Sequence, residues 1–413
     1  MDIGILVIGD ELTNGMTVDT NSSVIASELN ALGWRVSATM AVGDDQNAIK
    51  GGLEYLLGIS GALVVTGGLG PTVDDITTRA VAGAFGLNLY TDEVVLERLK
   101  KRFDRIGFPW TENNAKQAMF PEGAGILDNP VGTACGFFLE RDGRPVAVIP
   151  GVPGEAKRML SDGVIPLFSD RIGRSEHVTK KTIKVFRLTE AQIDQALLYE
   201  DLEIPGVSIG FYPRFPEIRL VVTSRREDRD LAEENLRVAC ERIKRQLSRH
   251  IFGYGDDTME RVVADLLTRR RLTLSVAESC TGGLITDRLT DVPGSSEFLE
   301  RGVVTYSNTS KVDLIGVPAS TIESHGAVSE DVAILMADGV RKLAGTDIGL
   351  ATTGIAGPTG GTDEKPVGTV FIALSVGRDT TCRMFLFRWD RRRIKEMASQ
   401  TALNMLRSFL EGP

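Results

Sequence analysis

The stretch that most narrows the folds open to this chain lies at 272–289. A short apolar run, 272–276, stops at Ala277-Glu278-Ser279-Cys280-Thr281-Gly282-Gly283 and gives way to the amphipathic Leu284-Ile285-Thr286-Asp287-Arg288-Leu289. An apolar run, a glycine-bearing turn and an amphipathic stretch, in that order, read as strand, tight turn and helix. The order sets a serine and a cysteine beside the unpaired N–H groups of a helix N-terminus. Such a turn holds a phosphate or stabilises an oxyanion.

The same alternation fills residues 1 to about 168. Apolar runs at 3–8, 34–41 and 62–66 read as strands, and 20–32, 47–57 and 75–85 as helices. The pattern predicts a parallel, doubly wound sheet. Runs at 137–140 and 146–149 predict a hairpin around Arg141-Asp142-Gly143-Arg144, before Pro150-Gly151-Val152-Pro153-Gly154 breaks the chain. From about 170 the order changes to β-α-β-β-α (178–187, 190–199, 207–212, 217–224, 229–248), which predicts a small α+β domain. Gly253-Tyr254-Gly255-Asp256-Asp257 reads as a linker, and the rest is α/β again. The expected division is 1–169, 170–252 and 253–413, in an α/β chain.

Length and composition agree with this division. A chain of 413 residues holds two or three cores, and 42% hydrophobic with 25% charged residues is ordinary globular usage. The net charge of −9 argues against a general nucleic-acid binder. The middle stretch is slightly basic, 16 Lys and Arg against 13 Asp and Glu over 171–250, but it has no GxxG loop, and it reads as a packing or dimerisation domain. Cys135, Cys240, Cys280 and Cys382 form no CxxC pair, which predicts reduced thiols in a cytoplasmic protein. The first residues read as a buried strand rather than a signal peptide, and no apolar run approaches the ~20 residues of a membrane span.

Two loops of the first domain carry chemistry. Thr66-Gly67-Gly68-Leu69-Gly70-Pro71-Thr72-Val73-Asp74-Asp75 follows an apolar strand directly. Its glycines let backbone N–H groups approach a ligand. Asp74 and Asp75, at the start of the next helix, are either helix caps or ligands of a divalent cation that bridges phosphates. Neither nucleotide fingerprint, GxGxxG nor GxxxxGK[ST], is present. Loops after strand ends converge on one crevice in a doubly wound sheet, so Glu11 (in Gly9-Asp10-Glu11-Leu12), Asp19 and Asn21 are expected beside the 67–75 loop, or as caps of the helix they open.

These motifs, with Asn129-Pro130-Val131-Gly132-Thr133-Ala134 and Pro150-Gly151-Val152-Pro153-Gly154-Glu155, resemble the competence/damage-inducible CinA family. The resemblance continues through Ala277 to Gly283, Val304-Thr305-Tyr306-Ser307-Asn308-Thr309-Ser310-Lys311, His325-Gly326-Ala327-Val328-Ser329, Thr353-Gly354-Ile355-Ala356-Gly357-Pro358 and Lys365-Pro366-Val367-Gly368-Thr369. For the first domain it implies a molybdopterin-binding-like fold and metal-dependent ADP-ribose pyrophosphatase activity. Asp74 and Asp75 would then hold a divalent metal (Mg or Co, with K as a further ion), and Gly67, Gly68, Gly70, Thr72, Glu11, Asp19 and Asn21 would bind the nucleotide. A pterin-binding or non-catalytic interaction module is the alternative reading of this domain. For the last domain the resemblance implies a nicotinamide mononucleotide (NMN) deamidase, releasing nicotinate mononucleotide and ammonia without a cofactor. Small nucleotides as ligands and a homodimer are expected, and nucleic acid and membrane are not.

An amidase needs a nucleophile, a base and an oxyanion hole. Ser279 projects from a strand end, and the N–H groups of Thr281, Gly282 and Gly283 are the expected oxyanion donors. The family pattern points to Lys311 as base with Tyr306 alongside, and a lysine serves as base only when burial or a neighbouring cation keeps it neutral. The pyridinium of the substrate would supply such a cation. Cys280 is the rival nucleophile, although its strand neighbour faces the pocket. Thr353, Gly354 and Gly357 are expected to form the opposing wall. Arg391 is the first choice for the phosphate, in a segment, Phe387-Arg388-Trp389-Asp390-Arg391, where Arg388-Trp389 replaces the family's Pro-Gly.

Overall fold

The computed structural model describes residues 2–173, 176–198 and 202–412. The chain packs as two compact units, 1–179 with 223–236, and 180–222 with 237–413.

The first unit is built on β1 (Asp2–Ile8), α1 (Asn21–Ala31), β2 (Arg35–Val42), α2 (Gln46–Ile59), β3 (Ala62–Thr66), α3 (Thr77–Phe85) and α4 (Glu93–Ile106). They are followed by β4 (Gly125–Leu127), β5 (Gly136–Arg141), β6 (Arg144–Ile149) and α5 (Pro153–Met159). Among the described residues the strands order β2-β1-β3-β6-β5-β4. β1 pairs in parallel with β2 and β3, β3 in parallel with β6, and β4–β5–β6 is antiparallel. Alternate β1 side chains serve opposite faces. Leu6 and Ile8 join Leu53 and Leu56 of α2 in one core, while Ile3, Ile5 and Val7 join Ile25 and Leu29 of α1 in another. Helices on both faces therefore expose the strand ends, and the loops after β1, β2, β3 and β6 lie at one edge of the sheet. The helix expected from residue 75 begins at Thr77, so Asp74 and Asp75 lie in the preceding loop and the position before the helix is Ile76, which caps nothing.

β7 (His177–Val185), α6 (Glu190–Leu197), β8 (Val207–Arg214), β9 (Glu217–Arg226) and α7 (Arg229–Leu247) follow the expected β-α-β-β-α order, and β10 (Ile251–Tyr254) adds a strand, giving the order β8-β9-β7-β10 among the described residues. Residue 199, the expected end of α6, lies outside them. The expected linker is partly structured: Gly253 and Tyr254 pair antiparallel with Lys184 and Ile183, and the buried Lys184 ammonium donates to the Asp257 carbonyl. Ladder pairing outweighs the glycine content that reads as a break.

The C-terminal α/β region comprises α8 (Met259–Arg270), β11 (Leu274–Glu278), α9 (Leu284–Thr290), β12 (Leu299–Val304), α10 (Asn308–Ile315), α11 (Ala319–His325), α12 (Glu330–Ala344), β13 (Ile348–Gly354), β14 (Thr369–Val376), β15 (Asp379–Leu386) and α13 (Arg391–Glu411). Strand order is β12-β11-β13-β14-β15, with β11 parallel to β12 and β13 and the remaining pairs antiparallel. β11 is buried throughout and central, as its continuous apolar run requires. Leu274 and Val276 face α8, α9 and α13, while Ala277 faces the cluster of α12. The C-terminal ends of β11 and β13 and the start of α10 converge on one cavity.

Candidate functional site

The turn after β11 resolves three consecutive side chains in three directions. Glu278 is fully buried, and its carboxylate accepts the N–H groups of Gly283 (3.0 Å), Ile285 (3.0 Å) and Thr286 (2.8 Å), together with the Thr286 hydroxyl (2.7 Å). The N-terminus of α9 is thus capped by an internal anion, whose charge also opposes the positive end of the helix dipole. Cys280 turns into the apolar cluster with Leu274, Val276 and Ile285, and burial pushes its thiol up to about 12. Burial thus favours the protonated thiol at neutral pH and disfavours Cys280 as the nucleophile. Ser279 faces a cavity of about 260 Å³.

This corrects one expectation. Gly283 donates to Glu278 and Gly282 donates to the Ser279 carbonyl (3.1 Å), so neither N–H waits for an oxyanion. The Thr281 hydroxyl is engaged with Thr352 (2.8 Å). Of the three expected donors, the two glycine N–H groups are thus taken within the turn, and the Thr281 N–H is the one left to the oxyanion role. Gly283 adopts φ 94°, a left-handed backbone that lets the chain swing from strand into helix around the Glu278 carboxylate.

Lys311 completes the cavity. α10 starts at a reciprocal Ser307–Ser310 capping box, which aims Lys311 and Ile315 inward on one face. Lys311 is 1% exposed, its ammonium nitrogen 3.1 Å from Ser279 Oγ and 2.8 Å from the Thr305 carbonyl. No carboxylate pairs with it among the described residues. Burial therefore dominates and lowers its pKa below the ordinary lysine value. A neutral Nζ carries two N–H bonds and one lone pair. One hydrogen serves the Thr305 carbonyl, and the lone pair is free to accept the Ser279 proton.

The cavity wall brings together Tyr306, Asn308, Thr353, Gly354, Gly357 and Arg391. Arg391 donates to the Gly357 carbonyl (2.6 Å) and to the Tyr306 hydroxyl (2.9 Å). Tyr306 thereby positions the guanidinium. Thr353 donates to the Ala327 carbonyl (2.7 Å), which ties the wall to the segment after α11. Of Arg388, Arg391, Arg392 and Arg393, Arg391 is the one among the residues lining the cavity, while Arg392 bonds Glu396 and Arg393 lies over Phe215. His325 is exposed beside Asp331 (3.3 Å), away from Ser279. Sequence reasoning missed the capping role of Glu278 and the presence of Asn308. It also missed Lys395, whose ammonium approaches the Gly282 backbone. A glutamate one residue before the turn and three polar N–H positions after it were the available signal for Glu278.

The first unit holds a second cavity, about 450 Å³, at the C-terminal edge of its sheet. It is lined by Gly67, Gly68, Gly70, Glu11, Asp74 and Asp75 of the expected set. Gly67 has φ 112°, and a Cβ there would strike the Ile8 carbonyl, so the loop's close return over β1 demands glycine. Thr72 donates N–H (2.9 Å) and hydroxyl (2.5 Å) to Asp75 and does not line the cavity. Asp19 accepts the Ser22 N–H (3.0 Å) ahead of α1, and Asn21 donates to the Gly151 carbonyl (2.6 Å); both lie outside the lining.

The lining also includes Asp44 and Glu155, which the sequence did not single out as ligands. Asp44 and Asp10 exchange backbone-to-carboxylate bonds of 2.9 Å. Burial, then repulsion from Asp10, Glu11 and Asp74, holds the Asp44 carboxyl above its usual range. Surplus negative charge on hard oxygen donors fits a hard divalent cation. Among the described residues no three His, Cys, Asp or Glu side chains converge tightly enough to cage one, so a cation here would take its remaining ligands from a bound phosphate or water.

Sequence comparison sets these cavities in context. Residues 4–170 match the profile described as "probable molybdopterin binding domain", 180–253 the "damage-inducible protein CinA KH domain", and 256–410 the "CinA C-terminal domain". A CinA-like protein of Syntrophus aciditrophicus is 56% identical over 99% of this chain and 98% of its own. A CinA-like protein of Geotalea uraniireducens is 43% identical over 99% and 98%. Among solved structures, competence/damage inducible protein CihA from Agrobacterium tumefaciens is 40% identical over 37% of this chain and 94% of its own, with a TM-score of 0.36. No helix among the described residues is long and apolar enough to cross a membrane. With relatives of this identity spanning almost its whole length, the chain belongs to the CinA family.

Proposed function

We propose that the C-terminal cavity hydrolyses the carboxamide of NMN to nicotinate mononucleotide and ammonia. The observation that carries this reading is the buried Lys311 nitrogen 3.1 Å from Ser279 Oγ, with no carboxylate to keep the lysine charged. Neutral Lys311 accepts the Ser279 proton as Oγ attacks the carboxamide carbon. The resulting ammonium then donates that proton to the departing amine, and the C–N bond breaks to give an acyl-serine and ammonia. Water gives a proton to the regenerated Lys311 as its oxygen adds to the acyl carbon; the acyl C–Oγ bond breaks, the Lys311 ammonium returns the proton to Ser279 Oγ, and nicotinate mononucleotide leaves as the carboxylate. Arg391, held by Tyr306 and Gly357, keeps donors for the 5′-phosphate. A pyridinium in the cavity would add to burial in keeping Lys311 neutral. Ammonia release from NMN by wild type, Ser279→Ala and Cys280→Ala tests the reading. Loss in the first variant and retention in the second are expected, and an active Ser279→Ala overturns it.

For the first unit the reading is metal-assisted hydrolysis of ADP-ribose-like dinucleotides, favoured by a carboxylate-lined cavity beside a glycine loop. Asp74 and Asp75, with Glu11 and Asp44 nearby, would hold a divalent ion by one or two carboxylates together with phosphate or water oxygens, and the ion would supply charge neutralisation for a diphosphate. AMP release from ADP-ribose with Mg²⁺ or Co²⁺, with and without K⁺, is the test. A wild-type protein that releases none returns the domain to a binding module. Small nucleotides are the ligands in both readings, and light scattering tests the expected homodimer.

A further inference from the structure

We infer that the β8–β9 hairpin of the middle domain holds the arginine of the C-terminal cavity in place, with Phe215 as a positioning residue for Arg391; this rests on the amidohydrolase reading. Phe215 sits in the turn between Val207–Arg214 and Glu217–Arg226. One edge of its ring meets Trp389, centroids 5.5 Å apart at 69°, and the Arg393 guanidinium lies 5.3 Å from its centroid. Trp389 leans on the buried Phe387 (6.3 Å), which stacks on Phe385 (5.8 Å, 6°). A ladder of rings thus runs from the C-terminal core to the hairpin tip.

Arg391 lies midway between the two residues that touch Phe215. Asp390, immediately before it, caps α13 through the N–H groups of Arg392 and Arg393. The Arg388-Trp389 turn contains neither proline nor glycine to fix its own backbone, and Trp389 is 43% exposed, so its burial in the core does not fix it either. Phe215 supplies the anchor on both sides. Edge-to-face and cation–π contacts of this kind orient a loop without closing it. Arg391 meets the phosphate and not the carboxamide, so the anchor acts on binding rather than on bond breaking.

The test compares NMN with nicotinamide riboside, which lacks the phosphate, in wild type, Phe215→Ala and Phe215→Tyr. Phe215→Ala raises KM for NMN about fivefold and leaves kcat within about twofold, as the loss of one aromatic contact predicts. The riboside kcat/KM is unchanged, and Phe215→Tyr restores the KM. Equal losses on both substrates, or an unchanged KM for NMN, overturn the inference while the amidohydrolase reading stands. An inactive wild type overturns that reading and the inference with it.

Discussion

Two strand–turn–helix units of the same sequence type solve the charge at a helix N-terminus in opposite ways. After β11, the Glu278 carboxylate turns back into the protein and takes three N–H groups of the turn and of α9. After β3, Ile76 precedes α3 without capping it, and the nearby carboxylates of Asp74 and Asp75 line a solvent-facing cavity. The first arrangement neutralises itself and leaves a hydroxyl as the reactive group. The second gathers carboxylates in different states: hydrogen bonding from Thr72 and the Lys116 charge favour ionised Asp74, whereas burial and its acidic neighbours disfavour ionised Asp44. A glycine-rich turn is therefore no signature of phosphate binding; what matters is whether the chain already supplies the anion.

The largest effects should fall on the self-neutralised turn. Ser279→Ala and Lys311→Met each lower kcat for NMN by at least about a thousandfold, and the double variant is no worse than either, because the two act as a unit. A double variant that multiplies the losses would break that picture. Lys311→Met also separates activity from stability. The folded chain gives up the Lys311 proton at a lower pH than the unfolded chain, so the charged lysine costs stability at acid and neutral pH, and the cost fades as pH rises toward about 10.5. The variant should melt higher than wild type at pH 7 and equal it near that limit. In wild type, kcat/KM rises with pH through a limb below the ordinary lysine value as Lys311 loses its proton.

Next comes the cap. Glu278→Ala leaves the N–H groups of Gly283, Ile285 and Thr286 without their acceptor and costs about 3 kcal/mol by chemical denaturation. The kcat for NMN falls as the Ser279 turn loosens. Asp75→Ala, at a half-buried loop carboxylate that accepts the Thr72 N–H and hydroxyl, costs about 1 kcal/mol; equal costs would erase the contrast between the turns.

The smallest effects lie in the acidic cavity. Repulsion and burial raise the Asp44 pKa, so its ionisation costs stability once pH climbs above the ordinary carboxylate value. Asp44→Asn should raise Tm slightly at pH 7 and leave it unchanged near pH 3. Mg²⁺ or Co²⁺ should raise the wild-type Tm, and Asp44→Asn or Asp74→Asn should blunt that rise. A wild-type Tm indifferent to both ions removes the cation from this cavity.

Local order was legible where one signal dominated. The apolar runs of β1, β3 and β11 and the glycines after them located the strands and the edge of the sheet on which the loops gather. Residues 86–127, by contrast, hold α4, a charge-rich helix signalled by Val95, Leu99 and Phe103 at helical spacing between its Asp92 cap and the left-handed Gly107. Side-chain direction was the harder quantity. Ser279 and Cys280 lie in the turn just past β11, and nothing local says that Glu278 folds back over the next helix, because that depends on where α9 lies. Asp44 escaped notice for a similar reason. It is an ordinary loop aspartate until β1 and β2 pair in parallel and bring it against Asp10.

The locked thiol beside the reactive serine bears on how such a protein behaves in a cell under oxidative stress. Oxidants and alkylating agents attack the thiolate, and a thiol titrating near 12 in an apolar pocket offers almost none of it. Peroxide or iodoacetamide therefore finds almost no thiolate at the turn.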